Sequence, residues 1–254
     1  MIFCFSATGN SLYAAQRIGD ATNDRIVSIG RALRNEEFEY DITNDEYLGF
    51  VLPTYAWTLP GAAAAFIERL ILKGFSGQYV YGVFTCGEST GSEPAALFTM
   101  LRSKGIPLSA TYDVVMPDNF IVWSEVPPPR KIEQMLNDAK THLDGITASI
   151  IRKTPRKPDT APPKDLYMKM EEVSTKSGTS KLHADGKCNS CGLCAEACPM
   201  RCIRLDASGR PYWEGSCTMC FACLHRCPAN AVQYGNETQN KGRYINPEVD
   251  LNRF

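Results

Sequence analysis

The chain has 254 residues with 27 basic and 28 acidic side chains, a net charge of −1. That length suits one large domain or two smaller ones, and the near-neutral balance excludes a global field that would draw nucleic acid or an anionic membrane. Eleven cysteines are many, and nine of them fall between Cys188 and Cys227, so composition changes sharply along the chain.

The first part alternates strand and helix signals. Short apolar runs predict strands over Ile2–Phe5, Arg25–Ile29, Tyr47–Leu52, Tyr79–Thr85 and Thr111–Met116, as expected of strands covered on both faces. Helical patterns lie between them at Ser11–Ala21, Ala62–Leu72 and Pro94–Lys104. Pro129 opens a long helix whose Ile132, Met135, Leu136, Ala139, Leu143, Ile146 and Ile150 recur at helical spacing. This alternation predicts an α/β fold, a parallel sheet wrapped by helices. Residues 47–67 carry no charge, but Pro53, Pro60 and Gly61 interrupt them, so they read as strand, loop and helix start and not as a membrane span. The N-terminus has neither a basic n-region nor an A-x-A site, which points to the cytoplasm. Lys153–Lys181 is rich in proline, lysine and serine and reads as a linker, with a short helix near Leu166–Val173. From Leu182 onward lies a small cysteine-dense module.

That module contains a repeat. "CNSCGLCAEACPMRCIRL" at Cys188 is matched by "CTMCFACLHRCPANAVQY" at Cys217. Both runs read C-x-x-C-x-x-C-x-x-x-C-P, a spacing suited to two [4Fe–4S] clusters. Structural zinc uses four ligands, usually as two separated pairs, which such runs do not offer; without a secretory signal, disulfides are disfavoured too. Cys202 falls outside both runs and reads as a small packing residue. His225 and Arg226 read as groups beside a cluster or on the surface, since the thiolates already fill the ligand positions.

The first strand runs into "SATGNS", residues 6–11. Its hydroxyls, its glycine and the helix it opens suit a phosphate dianion, with no lysine nearby. The G-K-[ST] of a nucleoside triphosphate loop and the G-x-G-x-x-G of a dinucleotide site are both missing. "PTYAWTLPG" follows the third strand and "TCGESTG" the fourth. In a doubly wound sheet of order 2-1-3-4-5 these loops meet beyond the carboxyl ends of the strands.

The module from Leu182 resembles the two-cluster bacterial-type ferredoxins. The resemblance implies crossed ligation: Cys188, Cys191, Cys194 and Cys227 at one [4Fe–4S] cluster, Cys217, Cys220, Cys223 and Cys198 at the other. Residues 1–152, through "SATGNS", "PTYAW" and "TCGE", resemble the flavodoxin family. That resemblance implies bound FMN, with Ser6, Ala7, Thr8, Gly9, Asn10 and Ser11 at its phosphate. Pro53, Thr54, Tyr55, Ala56 and Trp57 would flank the ring, and Thr85, Cys86 and Gly87 would hold its far edge. Tyr55 and Trp57 both stand as ring-stacking candidates, and a second stacking aromatic in the third loop is not evident. Cys4 and Cys86 read as packing residues, and Glu88 as a surface carboxylate.

The chain thus resembles flavodoxin–ferredoxin fusion proteins of anaerobes: a flavodoxin-like domain over 1–152, a linker over 153–181 and a 2×[4Fe–4S] domain over 182–254. The expected function is electron transfer between clusters and FMN, with ferredoxin-type redox partners. The alternative is an FMN-dependent reductase of a quinone or nitro compound. No acid–base constellation surrounds the flavin loops, and His142 and His183 read as solvated, which favours the carrier. Residues up to Arg152 hold 12 basic and 17 acidic side chains, hence −5; the remainder hold 15 and 11, hence +4. That asymmetry favours docking of the halves, although each oxidised cluster with its thiolates adds about −2. The linker permits a contact within the chain or a swap in a homodimer.

Overall fold

The computed structural model describes residues 1–156 and 179–254. The short helix expected near 166–173, and most of the linker, lie outside the described residues.

Five parallel strands form the main sheet: β1 (Ile2–Cys4), β2 (Ile26–Ser28), β4 (Tyr47–Pro53), β6 (Tyr79–Cys86) and β7 (Ala110–Val115), in the order β2-β1-β4-β6-β7. Counting these five alone, the order is second, first, third, fourth, fifth. The chain numbering shifts because two unexpected strands, β3 (Glu39–Asp41) and β5 (Ile71–Lys73), pair with each other apart from the sheet. β5 replaces the end of a helix expected to reach residue 72. That helix, α3, spans Gly61–Arg69, and Leu70 after it is already extended.

The side-chain period of two divides the sheet between two cores. Ile2, Cys4, Val51, Tyr81 and Val83 face one side and pack with α1 (Asn10–Thr22) and α5 (Pro129–Ile151). Phe3, Phe50, Leu52, Val80 and Phe84 face the other, against α2 (Ile29–Asn35), α3 and α4 (Glu93–Ser103). Gly49 on β4 lies under the Tyr81 ring; a Cβ there would come within 2.5 Å of it. Among the described residues no helix is long and apolar enough to cross a membrane.

The C-terminal part has two small antiparallel pairs, β8 (Leu182–Ala184) with β11 (Val232–Tyr234) and β9 (Ile203–Leu205) with β10 (Pro211–Trp213). One-turn helices α6 (Leu193–Glu196) and α7 (Ala222–His225) sit in the two cysteine runs. The repeat extends to the backbone. Cys217 lies 29 residues after Cys188, and three pairs at that offset share a left-handed φ: Ser190 (58°) and Met219 (54°), Gly192 (78°) and Phe221 (54°), Arg201 (51°) and Asn230 (49°).

The two parts pack on each other. Ile121, in the loop after β7, is fully buried in the core of the cysteine module, and the Phe120 ring lies 5.5 Å from that of Phe221. The C-terminal tail returns to the sheet domain, where Leu251 is buried beside α1 and α5 and the Asn246 N–H donates to Thr8 O at 2.8 Å.

Candidate functional site

A cavity of about 1450 Å³ opens where the loops after β1, β4, β6 and β7 meet the second cysteine run. Every residue proposed for FMN lines it except Gly9, which closes α1 from behind. The sequence missed the wall contributed by Phe120 and Trp123, after β7, and the wall from the segment 215–221. A fourth loop thus brings aromatic side chains to a cavity where the third brings none.

The residues of the first loop suit an anion. Tyr13 N–H makes the first helical bond of α1, to Gly9 O, which leaves the amides of Asn10, Ser11 and Leu12 outside the helical ladder. Ser6 Oγ accepts from Gly9 N–H (3.1 Å) and Thr8 Oγ1 accepts from Asn119 Nδ2 (2.8 Å), so each hydroxyl keeps its own proton to donate. Ser11 Oγ and Thr85 Oγ1 share a 2.7 Å bond. Asn10 differs from the expectation in detail. Its Nδ2 donates to Pro117 O (3.1 Å), and its Oδ1 accepts from Tyr244 Oη (2.7 Å) and Asn246 Nδ2 (3.1 Å), so what it retains for an anion is its backbone amide. Among the described residues the cavity wall includes Glu88 and Asp118 but no Lys, Arg or His. A phosphate there would depend on amides, hydroxyls and the helix dipole.

The ring loop is strained and firmly held. Tyr55 and Thr58 exchange backbone hydrogen bonds (3.1 and 3.0 Å) around Ala56 and Trp57, whose φ values are 54° and 58°. Two left-handed residues that are not glycine cost about 1–2 kcal/mol each, and such strain gathers where a ligand is clamped. Trp57 O accepts from the Ser92 amide (2.8 Å) and from Ser92 Oγ (3.0 Å), and Gly91 lies so close to the Trp57 backbone that a Cβ would come within 2.6 Å of Trp57 O. Tyr55 meets Phe5 edge-on at 6.2 Å, while Trp123 is 60% exposed at the mouth.

Behind this wall lies Glu93, fully buried. Thr54 Oγ1 donates to its Oε2, and Oε1 has no partner. Burial holds its carboxyl well above the ordinary value near 4.5, so it is a neutral acid. The unfolded chain ionises Glu93 above that ordinary value and the folded chain does not; stability is therefore lost as pH rises through and above it. Glu93→Gln, which copies the neutral form, is expected to raise Tm at pH 8 by at least about 2 °C, the effect of ~1 kcal/mol in a chain of this size. Its advantage should shrink towards pH 5. Denaturant midpoints of both proteins across that range check this; a constant difference would count against a neutral Glu93.

None of the eight cysteines of the two runs is in a disulfide, nor are Cys4, Cys86 and Cys202. Cys194 lies within electrostatic reach of Cys191 and Cys227. Cys220 and Cys223 lie within reach of Cys217 and Cys198. Cys191, Cys194 and Cys227 of the first expected group, and all four cysteines of the second, are thus near one another. Among the described residues no three His, Cys, Asp or Glu side chains converge on one point as for a single ion; a cubane takes one thiolate at each of four separated irons. Left-handed residues recur around both runs, at Ser190, Gly192 and Arg201 and at Met219, Phe221 and Asn230, a conformation that occurs in backbone turns whose N–H groups bind anions. Met219 N–H donates to Cys217 Sγ and Ala231 N–H to Cys227 Sγ, both at 3.3 Å. The buried Trp213 indole N–H points to the Cys223 thiol, its one neighbour among the described residues able to accept from it. Cys202, expected only to pack, touches Cys198 Sγ at 3.5 Å and is within the second group. His225, expected beside a cluster or at the surface, is 3% exposed and bridges two segments.

No family model matches the chain, and no curated protein matches it. Several solved structures do. The rubredoxin oxygen:oxidoreductase of the anaerobe Desulfovibrio gigas is 17% identical over 59% of this chain and 36% of its own, with a TM-score of 0.35. A putative flavoprotein from Bacteroides uniformis is 18% identical over 45% of this chain and 88% of its own (TM-score 0.34). The two-electron reduced Megasphaera elsdenii flavodoxin is 16% identical over 46% and 89% (TM-score 0.34). This chain spans about a third of the Desulfovibrio protein's length.

Proposed function

We propose that this chain is an electron-transfer protein joining an FMN domain (1–152) through a linker (153–181) to a ferredoxin-type domain (182–254) with two [4Fe–4S] clusters. The observation that carries the reading is the shared cavity: the free amides of α1 and the aromatic ring loops face the same space as Cys217 and Cys220. FMN accepts one or two electrons and clusters pass one at a time, so together they interconvert single electrons and pairs. Within that arrangement α1, Ser6 and Thr8 bind the phosphate. Tyr55, Trp57, Phe120 and Trp123 shield the ring from water, and Thr54 with neutral Glu93 fixes the loop beneath it. Cys188, Cys191, Cys194 and Cys227 hold one cluster, and Cys217, Cys220, Cys223 and Cys198 the other. Reduced thiols and bound iron suit the cytoplasm, and the partners are redox proteins of ferredoxin type.

A second reading draws on the cavity's size. At about 1450 Å³ it exceeds the ~300–1,000 Å³ of sites for a single drug-sized ligand. A quinone or nitro compound beside the flavin would make the chain a reductase.

Anaerobic purification with iron, sulfide and FMN quantitation tests the first reading. The expected result is about eight irons and one FMN per chain. Eight irons with no FMN after its addition would overturn the flavin assignment. Turnover of menadione by the reduced protein alone would favour the reductase.

A further inference from the structure

The two cysteine groups have different surroundings. Cys217 and Cys220 line the cavity with Met219 and Phe221, whereas Cys188, Cys191, Cys194 and Cys227 are not in its wall. Tyr55, a candidate for the flavin ring, lies within electrostatic reach of both Cys220 and Cys217. Ala7 of the first loop packs with Ala222, Ala197 and Cys220. In contrast Cys191 is exposed and Cys188 half-buried.

The second cysteine loop is also fastened to the sheet domain. The N-cap position of α3 is Pro60, which supplies no side-chain cap. Thr218 Oγ1 takes that role from the other half of the chain, accepting from Ala62 N–H at 3.1 Å. Arg34 of α2 comes within reach of Cys198, and Arg226 within reach of Cys220. Arg243 stands in the same relation to Cys227 of the first group.

Resting on the flavin and cluster reading above, we propose that the groups form an ordered pair: Cys198, Cys217, Cys220 and Cys223 hold the flavin-side centre, and Cys188, Cys191, Cys194 and Cys227 hold the centre that meets an external partner at exposed Cys191. The partner is a reduced iron–sulfur protein. It loses one electron per event, the group in the cavity gains one, and no bond forms or breaks at either cysteine set. Thr218 is a positioning residue that holds the second loop at the cavity wall.

Three variants of the full chain test this order: Cys191→Ala, Cys220→Ala and Thr218→Val, each loaded anaerobically with iron, sulfide and FMN. FMN affinity is measured by titration, and flavin bleaching is followed after mixing with a reduced two-cluster ferredoxin. Cys191→Ala should keep wild-type FMN affinity yet lose at least about tenfold in bleaching rate. Cys220→Ala, whose loop lines the cavity, should weaken FMN binding about tenfold and slow bleaching as well. Thr218→Val should keep its full iron content while weakening FMN several-fold, a readout that does not depend on losing a cluster. Weaker FMN binding in Cys191→Ala with none in Cys220→Ala would overturn the order, as would wild-type bleaching in either cysteine variant. Wild-type protein that takes up iron but no FMN overturns the flavin reading itself, and is seen before any variant is made.

Discussion

Gly9→Ala is expected to weaken FMN binding about a hundredfold, roughly 2.7 kcal/mol. Gly9 has φ +102° and closes the first loop onto α1. A Cβ there would come within 2.6 Å of Val249 Cγ2 and 2.9 Å of Asn246 Cβ, both in the C-terminal tail. Two responses are open to the chain. If the backbone rotates out of the left-handed region, the amides of Asn10 and Ser11 turn with it and the anion site loses its donors. If the tail withdraws instead, Asn246 N–H leaves Thr8 O and Tyr244 Oη leaves Asn10 Oδ1. Left-handed strain alone costs about 1–2 kcal/mol, so Tm should also fall, by about 2–4 °C per kcal/mol. Flavin titration and a thermal melt of the cluster-loaded protein check this. Wild-type FMN affinity in the variant would show that neither the loop nor the tail positions the site.

The features legible in the sequence are those written locally. The five main strands are apolar runs whose alternate residues enter two cores, and their bounds match to within two residues. The loop "SATGNS" carries its amides and hydroxyls within one turn, and each cysteine run carries its own spacing. Features made by distant segments were not legible. Helix α2 is seven residues long, too short for a clear period, and Ser28 caps it by accepting from Arg31 N–H. β3 and β5 exist because each supplies the other's hydrogen bonds. Phe120 and Trp123 lie in a stretch of prolines and mixed polarity that reads as a loop, and their role depends on where that loop lands. Thr218 resembles any cysteine-loop spacer until Ala62 is beside it. The tail from Tyr244 has no periodic pattern, and its value lies in bonds to Thr8 and Asn10 more than 230 residues away in sequence.

His225 shows how far that long-range bonding reaches. Its Nδ1 accepts from Tyr244 N–H at 3.2 Å, which places the ring proton on Nε2, and Nε2 donates to Asn119 O at 2.8 Å. Burial keeps the ring neutral, with its pKa lowered to about 4. One imidazole thus joins the second cysteine run to the loop after β7 and to the tail. His225→Leu fills similar space but leaves the buried Tyr244 amide unpaired, at about 1–3 kcal/mol, and takes one of two donors from the half-buried Asn119 carbonyl, which keeps the Ile121 N–H at 2.9 Å. At about 2–4 °C per kcal/mol, Tm should fall by roughly 6 °C. His225→Gln, which can keep one of the two bonds, should lose about half as much. The flavin site should register the change too, because the Asn119 side chain donates to Thr8 Oγ1. Without His225 the Asn119 carbonyl keeps only its local bond from Ile121 N–H, so the loop carrying that donor is less firmly placed and FMN binding should weaken several-fold in His225→Leu. Melting curves of the three proteins, with FMN titrations alongside, separate the outcomes. A leucine variant that melts within about 2 °C of wild type would mean that the halves of this chain are held together by apolar packing around Ile121 and Phe221, with the imidazole a passenger between them.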